Sequence, residues 1–152
     1  MHQITWRRTS VHIGLLQIGI VVLAVITALI HLELVIKMGM FTGAHAGAHH
    51  AEGGFALLRY IPLSLSMLFL LNCIGYIVLV VALYLPVLRR LQRPLRWLLI
   101  VYTAVTIIAW FVITGGGPNL LAYVDKPIEV ALIALLLIED WQATHLAKGR
   151  AS

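Results

Sequence analysis

The residues best suited to chemistry are ionisable side chains that lie at the ends of long apolar runs. His31 and Glu33 follow one such run, while Asp125, Lys126 and Glu129 sit near the start of another. Inside a bilayer each charge costs at least about 2.5 kcal/mol unless it pairs or meets water, so such groups are candidate sites for a proton, a metal or a polar head group. The same residues can also pair with one another and only hold helices together. The sequence leaves both interpretations open.

A second candidate site is the stretch KMGMFTGAHAGAHHAEGG, residues 37–54, which combines histidine and methionine with glycine and alanine. Imidazole binds Zn²⁺ and Cu²⁺, and together with methionine thioether it suits Cu⁺. His45, His49 and His50 are therefore a candidate copper or zinc site. Frequent glycine opposes a fixed ligand geometry, so a loop without metal is the alternative.

The elements that must position these residues follow from composition. The 152-residue chain is 61% hydrophobic and 11% charged, and its mean hydropathy of +0.97 is that of an integral membrane protein. Four apolar runs are each near the roughly 20 residues that a helix needs to cross a bilayer, where lipid offers no partners to an open backbone. The predicted fold is all-α, a four-helix transmembrane bundle in a single domain 1–152. Its helices are expected at about 11–36, 62–85, 95–114 and 118–141.

Basic residues predict the orientation, because lysine and arginine are retained on the cytoplasmic side of a membrane. They cluster before the first run, between the second and third runs, and after the fourth. Both termini and a basic loop at 86–96 are therefore expected in the cytoplasm, and the His-rich loop 37–60 is expected on the exported face. The net charge of +5 reflects this asymmetry and does not indicate a nucleic-acid partner.

The fourth helix must begin near Pro118, because the apolar stretch after Pro127 is too short to cross a membrane. This start places Asp125, Lys126 and Glu129 inside the outer leaflet. Pro127 predicts a kink there. The charged residues are expected to face the bundle interior, with Lys126 paired to an acidic neighbour.

Few other polar groups occur at membrane depth. Asn72 lies near the middle of the second helix and is expected to join helices by a hydrogen bond. The second to fourth helices contain no histidine that could serve with His31 as a haem ligand. Phosphate-binding loops and the H-E-x-x-H, G-x-S-x-G and CxxC motifs are also missing. The sequence thus indicates no enzyme class and requires no cofactor.

Three segments carry a family resemblance: IHLELVIK, LFLLNCIGYIVLVVALYLPVLRR and YVDKPIEVALIALLLIED. They resemble uncharacterised small four-span integral membrane proteins of bacteria and archaea, over about residues 31–140. The resemblance implies a multi-pass protein of a prokaryotic plasma membrane and carries no activity. The residues that it singles out are His31, Asn72, Asp125, Lys126 and Glu129.

Three functions are compatible with these observations. Small size and the missing catalytic motif favour a non-catalytic accessory or interaction subunit of a larger membrane assembly, such as an electron-transfer complex. Its partners would be the lipid bilayer and other membrane subunits. The alternative is copper, zinc or cofactor binding at the exported face through the His-rich loop and the cluster of His31, Asp125 and Glu129. The third is a small quinone-linked membrane oxidoreductase.

Overall fold

The computed structural model describes residues 14–37, 65–114 and 120–149. Within these ranges the secondary structure is entirely helical, which confirms the predicted all-α class for this part of the chain. A short 3-10 helix, Pro86–Leu91, leads directly into the third α-helix. The four α-helices are α1 (Leu15–Lys37), α2 (Leu65–Tyr84), α3 (Gln92–Thr114) and α4 (Leu120–Gly149).

The expected loop at 86–96 is largely helical instead. Pro86 occupies the first position of the 3-10 helix and Pro94 lies in the first turn of α3. The first-turn N–H groups of a helix have no acceptor within that helix, so proline removes no bond there. α4 also continues beyond the predicted end at 141, because a helix can extend into polar residues that an apolar run does not reveal.

Three segments are long and apolar enough to cross a membrane: Leu15–Lys37, Ser66–Tyr84 and Pro86–Val112. The described part of α4 does not qualify by the same measure, because charged residues occur in both of its halves. The outward faces carry exposed apolar side chains such as Ile74 on α2 and Val101 on α3. The chain is therefore a helical membrane protein, and length and composition support three of the four predicted spans.

The core lies where α1 packs against α2 and α4, and where α3 packs against the same two helices. It is built from apolar side chains such as Ile20, Leu99 and Leu136. Small residues on α1 allow a close approach: a Cβ added at Gly19 would lie 3.2 Å from Cδ1 of Leu135 on α4. Close helix contact through small residues is a common way to join membrane helices.

This apolar core separates two polar clusters. One contains His31, near the end of α1, and the other contains Gln17, near its start. The 14 residues between them correspond to about 21 Å along a helix. His31 meets the beginning of α4 and Gln17 meets its later half, so α1 and α4 run antiparallel.

Candidate functional site

The cluster near the end of α1 brings together three buried side chains. His31 is 2% exposed, Asp125 2% and Glu129 0%. Each offers one ligand atom, and these atoms lie within 4.8 Å of one another. Asp125 and Glu129 are four residues apart and therefore share one face of α4, which here is directed at α1. Sequence analysis expected these residues to meet, and the structure places them together.

Lys126 supplies the positive charge of the cluster. Its Nζ donates to Oδ2 of Asp125 at 3.3 Å and also to Oε2 of Glu129. The expected pairing of Lys126 with an acidic neighbour is thus confirmed. The ammonium group also lies 5.8 Å from the centroid of the Trp110 ring, a cation–π contact that connects α4 to α3. One lysine therefore pairs with two buried carboxylates.

Glu33 does not belong to this cluster, contrary to expectation. It is exposed and pairs with Lys37, one turn further along α1, at 2.8 Å. Two helix positions correspond to a rotation of about 200°, so a residue two places after the inward-facing His31 must point outward. Glu33 and Lys37 form an ordinary surface ion pair.

The His31 ring is fixed by its own helix and by aromatic neighbours. Nδ1 lies 2.9 Å from the carbonyl oxygen of Thr27 and 3.8 Å from Oδ2 of Asp125. A carbonyl oxygen can only accept, so Nδ1 carries a proton and donates. The ring centroid is 5.7 Å from that of Phe69 and 5.9 Å from that of Tyr76. His31 therefore presents an oriented imidazole to the interior.

Glu129 is held by two further helices. The Tyr76 hydroxyl of α2 donates to Oε1 at 2.9 Å, and the Thr106 hydroxyl of α3 lies 3.0 Å from the same oxygen. Sequence reasoning missed both partners. The only available signal was that Tyr76 follows Asn72 by four residues, which places two polar side chains on one face of an apolar helix.

Asp125 is less completely satisfied than Glu129. Its Oδ1 atom is buried and has no hydrogen-bond partner among the described residues, and the same holds for the hydroxyl oxygen of Thr27. Buried polar atoms are rarely left in this state unless water, an ion or a ligand completes them. Asp125 and Thr27 therefore each retain unused hydrogen-bonding capacity.

A cavity of about 250 Å³ adjoins the cluster. His31, Asp125 and Lys126 form part of its lining, together with the polar side chains of Asn72 and Tyr102. The remaining lining is mainly aliphatic and aromatic. The cavity is therefore amphipathic, with charged groups in an otherwise apolar surface.

Asn72 and Tyr102 connect α2 to α3 beside this cavity. The Tyr102 hydroxyl donates to Oδ1 of Asn72 at 2.8 Å, which provides the expected interhelical hydrogen bond at Asn72. Only glycine fits at position 75, since a Cβ there would lie 2.1 Å from the Tyr102 hydroxyl oxygen. Gly75 thus allows the tyrosine ring to lie against α2.

No family model, curated protein or solved structure matches this chain. The resemblance to small four-span membrane proteins therefore stays a prediction.

That geometry bears on metal binding. One imidazole and two carboxylates suit a borderline divalent cation such as Zn²⁺. However, the Lys126 ammonium already pairs with both carboxylates, so a metal would have to displace it. The other metal candidates, His45, His49 and His50, lie outside the described residues, and copper or zinc binding there stays a prediction.

The second polar cluster lies at the opposite end of the core. Arg96 of α3 donates from Nε to Glu139 at 3.0 Å and from Nη1 to Asp140 at 2.8 Å, and Gln17 donates to Glu139 at 3.3 Å. Sequence analysis treated Arg96 only as a cytoplasmic basic residue. No spacing rule relates it to residues of α4, so this pairing is visible only in the fold. Its polar groups satisfy one another, which indicates a structural role.

Proposed function

We propose that the protein is a four-span integral membrane protein, with both termini in the cytoplasm of a prokaryote, that binds a small lipid-soluble molecule in the cavity beside Asp125 and Lys126. Helix α4 has 30 residues and is therefore about 45 Å long, which is sufficient to cross a bilayer. Several of its charged side chains, among them Asp125, Lys126 and Glu129, pair within the bundle, which supports a fourth span despite its composition.

The cavity is the observation that carries this proposal. Helices of a bundle normally pack closely, so an ion-pair cluster that only joined helices would need no cavity beside it. The volume of about 250 Å³ lies just below the range of ordinary ligand pockets, which begins at about 300 Å³. An amphipathic cavity with charged groups at one side suits a molecule with an apolar body and a polar head group. The proposal concerns binding and includes no reaction.

Membership of a larger assembly remains a second proposal from the sequence. Exposed apolar side chains on the outer faces of the helices, such as Leu29, Val78 and Val130, can contact another subunit as well as lipid. Purification in mild detergent from the native membrane tests this idea: stoichiometric partner subunits would support it, and a single chain at full yield would contradict it. Ligand binding and subunit contact can coexist if the partner leaves the cavity opening uncovered.

Ligand-induced thermal stabilisation tests the binding proposal. Fractions of a lipid extract from the native membrane are added to the purified protein, and at least one fraction should raise its melting temperature, because a ligand stabilises the state that binds it. Ala109→Phe fills the cavity and should abolish this shift. Ala104→Phe is the matched control, since Ala104 is similarly half-buried on α3 but does not line the cavity.

A different outcome of the same measurement would contradict the binding proposal. If no fraction stabilises the wild type and Ala109→Phe simply makes the protein more stable, the cavity is a packing defect and the binding proposal is wrong.

A further inference from the structure

The cavity reaches the lipid-facing surface between α2 and α3. Leu71 of α2 and Val105 of α3 both line it, yet they are 58% and 56% exposed. Because these two side chains belong both to the cavity wall and to the outer surface, the cavity opens to that surface beside them. A molecule dissolved in the bilayer can therefore approach the charged cluster sideways, without passing through water.

The cavity lining offers donors from Asn72 and Lys126 beside the Oδ1 acceptor of Asp125, which has no hydrogen-bond partner among the described residues. Asn72 accepts from Tyr102 through its side-chain oxygen, so its amide nitrogen is the group that it can offer to a ligand. The Lys126 ammonium has three N–H donors, of which Asp125 and Glu129 accept two. A ligand with oxygen acceptors suits this arrangement.

Three aromatic side chains form part of the remaining wall, beside aliphatic ones. Phe69, Tyr102 and Trp110 all line the cavity, from two different helices. Aromatic surfaces favour a flat ring, which stacks on them or meets them edge to face. Donors, aromatic walls and access from lipid together describe a planar ring with carbonyl oxygens and an apolar tail.

From this geometry we propose that the ligand is a quinone, whose ring lies in the cavity with one carbonyl accepting from Asn72 or Lys126 and whose tail leaves between Leu71 and Val105. This inference rests on the proposed binding function and names its ligand class. It concerns the bound quinone and includes no electron transfer.

Fluorescence quenching tests the inference directly, because quinones quench tryptophan at short range. Trp6, Trp97 and Trp141 are replaced by phenylalanine, which leaves Trp110 in the cavity wall as the reporter. A benzoquinone with a decyl tail is titrated into this variant in lipid nanodiscs. We expect saturable quenching. Thermal stabilisation of the wild type by the same quinone provides a measurement that does not depend on the substitutions.

Two variants locate the contacts. Asn72→Leu removes the amide donor and should raise the quinone dissociation constant about tenfold, the value of one hydrogen bond. Val105→Phe narrows the lateral opening and should slow or abolish binding. Val101→Phe is its matched control, since Val101 is 54% exposed one turn away on the same helix and does not line the cavity.

A decylbenzene without carbonyl groups separates the two proposals. Equal stabilisation by decylbenzene and the quinone, together with an unchanged affinity in Asn72→Leu, would overturn the quinone assignment while the binding cavity remained. If the quinone does not bind but another lipid fraction stabilises the protein, the quinone assignment is likewise wrong and the binding cavity remains. Failure of every compound would overturn both proposals. Unaltered quinone binding in Val105→Phe would exclude the lateral route.

Discussion

The Tyr76 hydroxyl of α2 donates a 2.9 Å hydrogen bond to Oε1 of Glu129 on α4. Both side chains are completely buried. Thr106 of α3 contacts the same carboxylate oxygen, so a single acidic group links three helices. With Lys126 on its other oxygen, Glu129 has partners on both sides. This arrangement makes the polar cluster part of the architecture as well as a candidate site.

Tyr76→Phe should lower the free energy of unfolding by about 1–3 kcal/mol, because it removes a hydrogen bond to a buried charged group. Denaturation in detergent, followed by circular dichroism, measures the change. Tyr84→Phe is the control on the same helix, since the buried Tyr84 hydroxyl has no hydrogen-bond partner among the described residues. Equal effects of the two substitutions would show that the Tyr76–Glu129 bond contributes nothing specific.

Gly75→Ala should destabilise the bundle relative to Gly19→Ala by about 1–3 kcal/mol, the usual cost of overpacking. Both substitutions gain similar helix propensity. At Gly75 the new Cβ meets the Tyr102 hydroxyl at 2.1 Å, whereas at Gly19 it meets only the mobile end of Leu135 at 3.2 Å. Unfolding measurements on both variants check this, and Gly75→Ala should cost much less in a Tyr102→Ala background, measured against Tyr102→Ala alone, because the clashing ring is gone.

Lys126→Met should reduce stability by about 3–5 kcal/mol, because it leaves two buried carboxylates without a counter-charge. Lys37→Met is the control: the Lys37 and Glu33 side chains are 60% and 49% exposed, and surface pairs contribute at most about 1 kcal/mol. Similar melting temperatures for the two variants would contradict the pairing described here.

Zn²⁺ should restore part of the stability of Lys126→Met, since a divalent cation can take the place of the ammonium between His31, Asp125 and Glu129. Melting curves with and without Zn²⁺ measure this rescue. Adding His31→Ala should remove it. A rescue that persists without His31 would place the metal elsewhere.

The His-rich loop should act as an optional metal ligand. Isothermal titration with Cu²⁺ or Zn²⁺ should show weak binding that declines below about pH 6.5, where free imidazole becomes protonated. Replacing His45, His49 and His50 by alanine should abolish it without loss of folding. Tight stoichiometric binding that disappears in this variant would instead support metal binding as the main function, which is the alternative derived from the sequence.

Cysteine labelling tests the fourth span. In a Cys73→Ala background, cysteines at Arg90 and Lys148 should react with a membrane-impermeant maleimide only from the cytoplasmic side, and one at His49 only from outside. Labelling of positions 90 and 148 from opposite sides would mean that α4 does not cross the membrane.

The approach of Asp125, Lys126 and Glu129 to one another was predictable, because it needs only helical spacing within one segment. That His31 would meet them followed from matching depths in the membrane. Glu33 shows the limit of depth as a guide: it lies only two residues from His31 but on the opposite side of α1, and it pairs with Lys37 instead.

The sequence alone determined that the chain is helical and belongs in a membrane, because long apolar runs can satisfy their backbone groups in lipid only as helices. It also predicted which charged residues lie at membrane depth. Only the tertiary structure decided that Tyr76 and Thr106 bind Glu129, that Arg96 binds Glu139, and that a cavity opens between α2 and α3. The reason is physical: a helix that is apolar on every side has no amphipathic stripe to reveal its rotation, so packing alone determines which side chains meet.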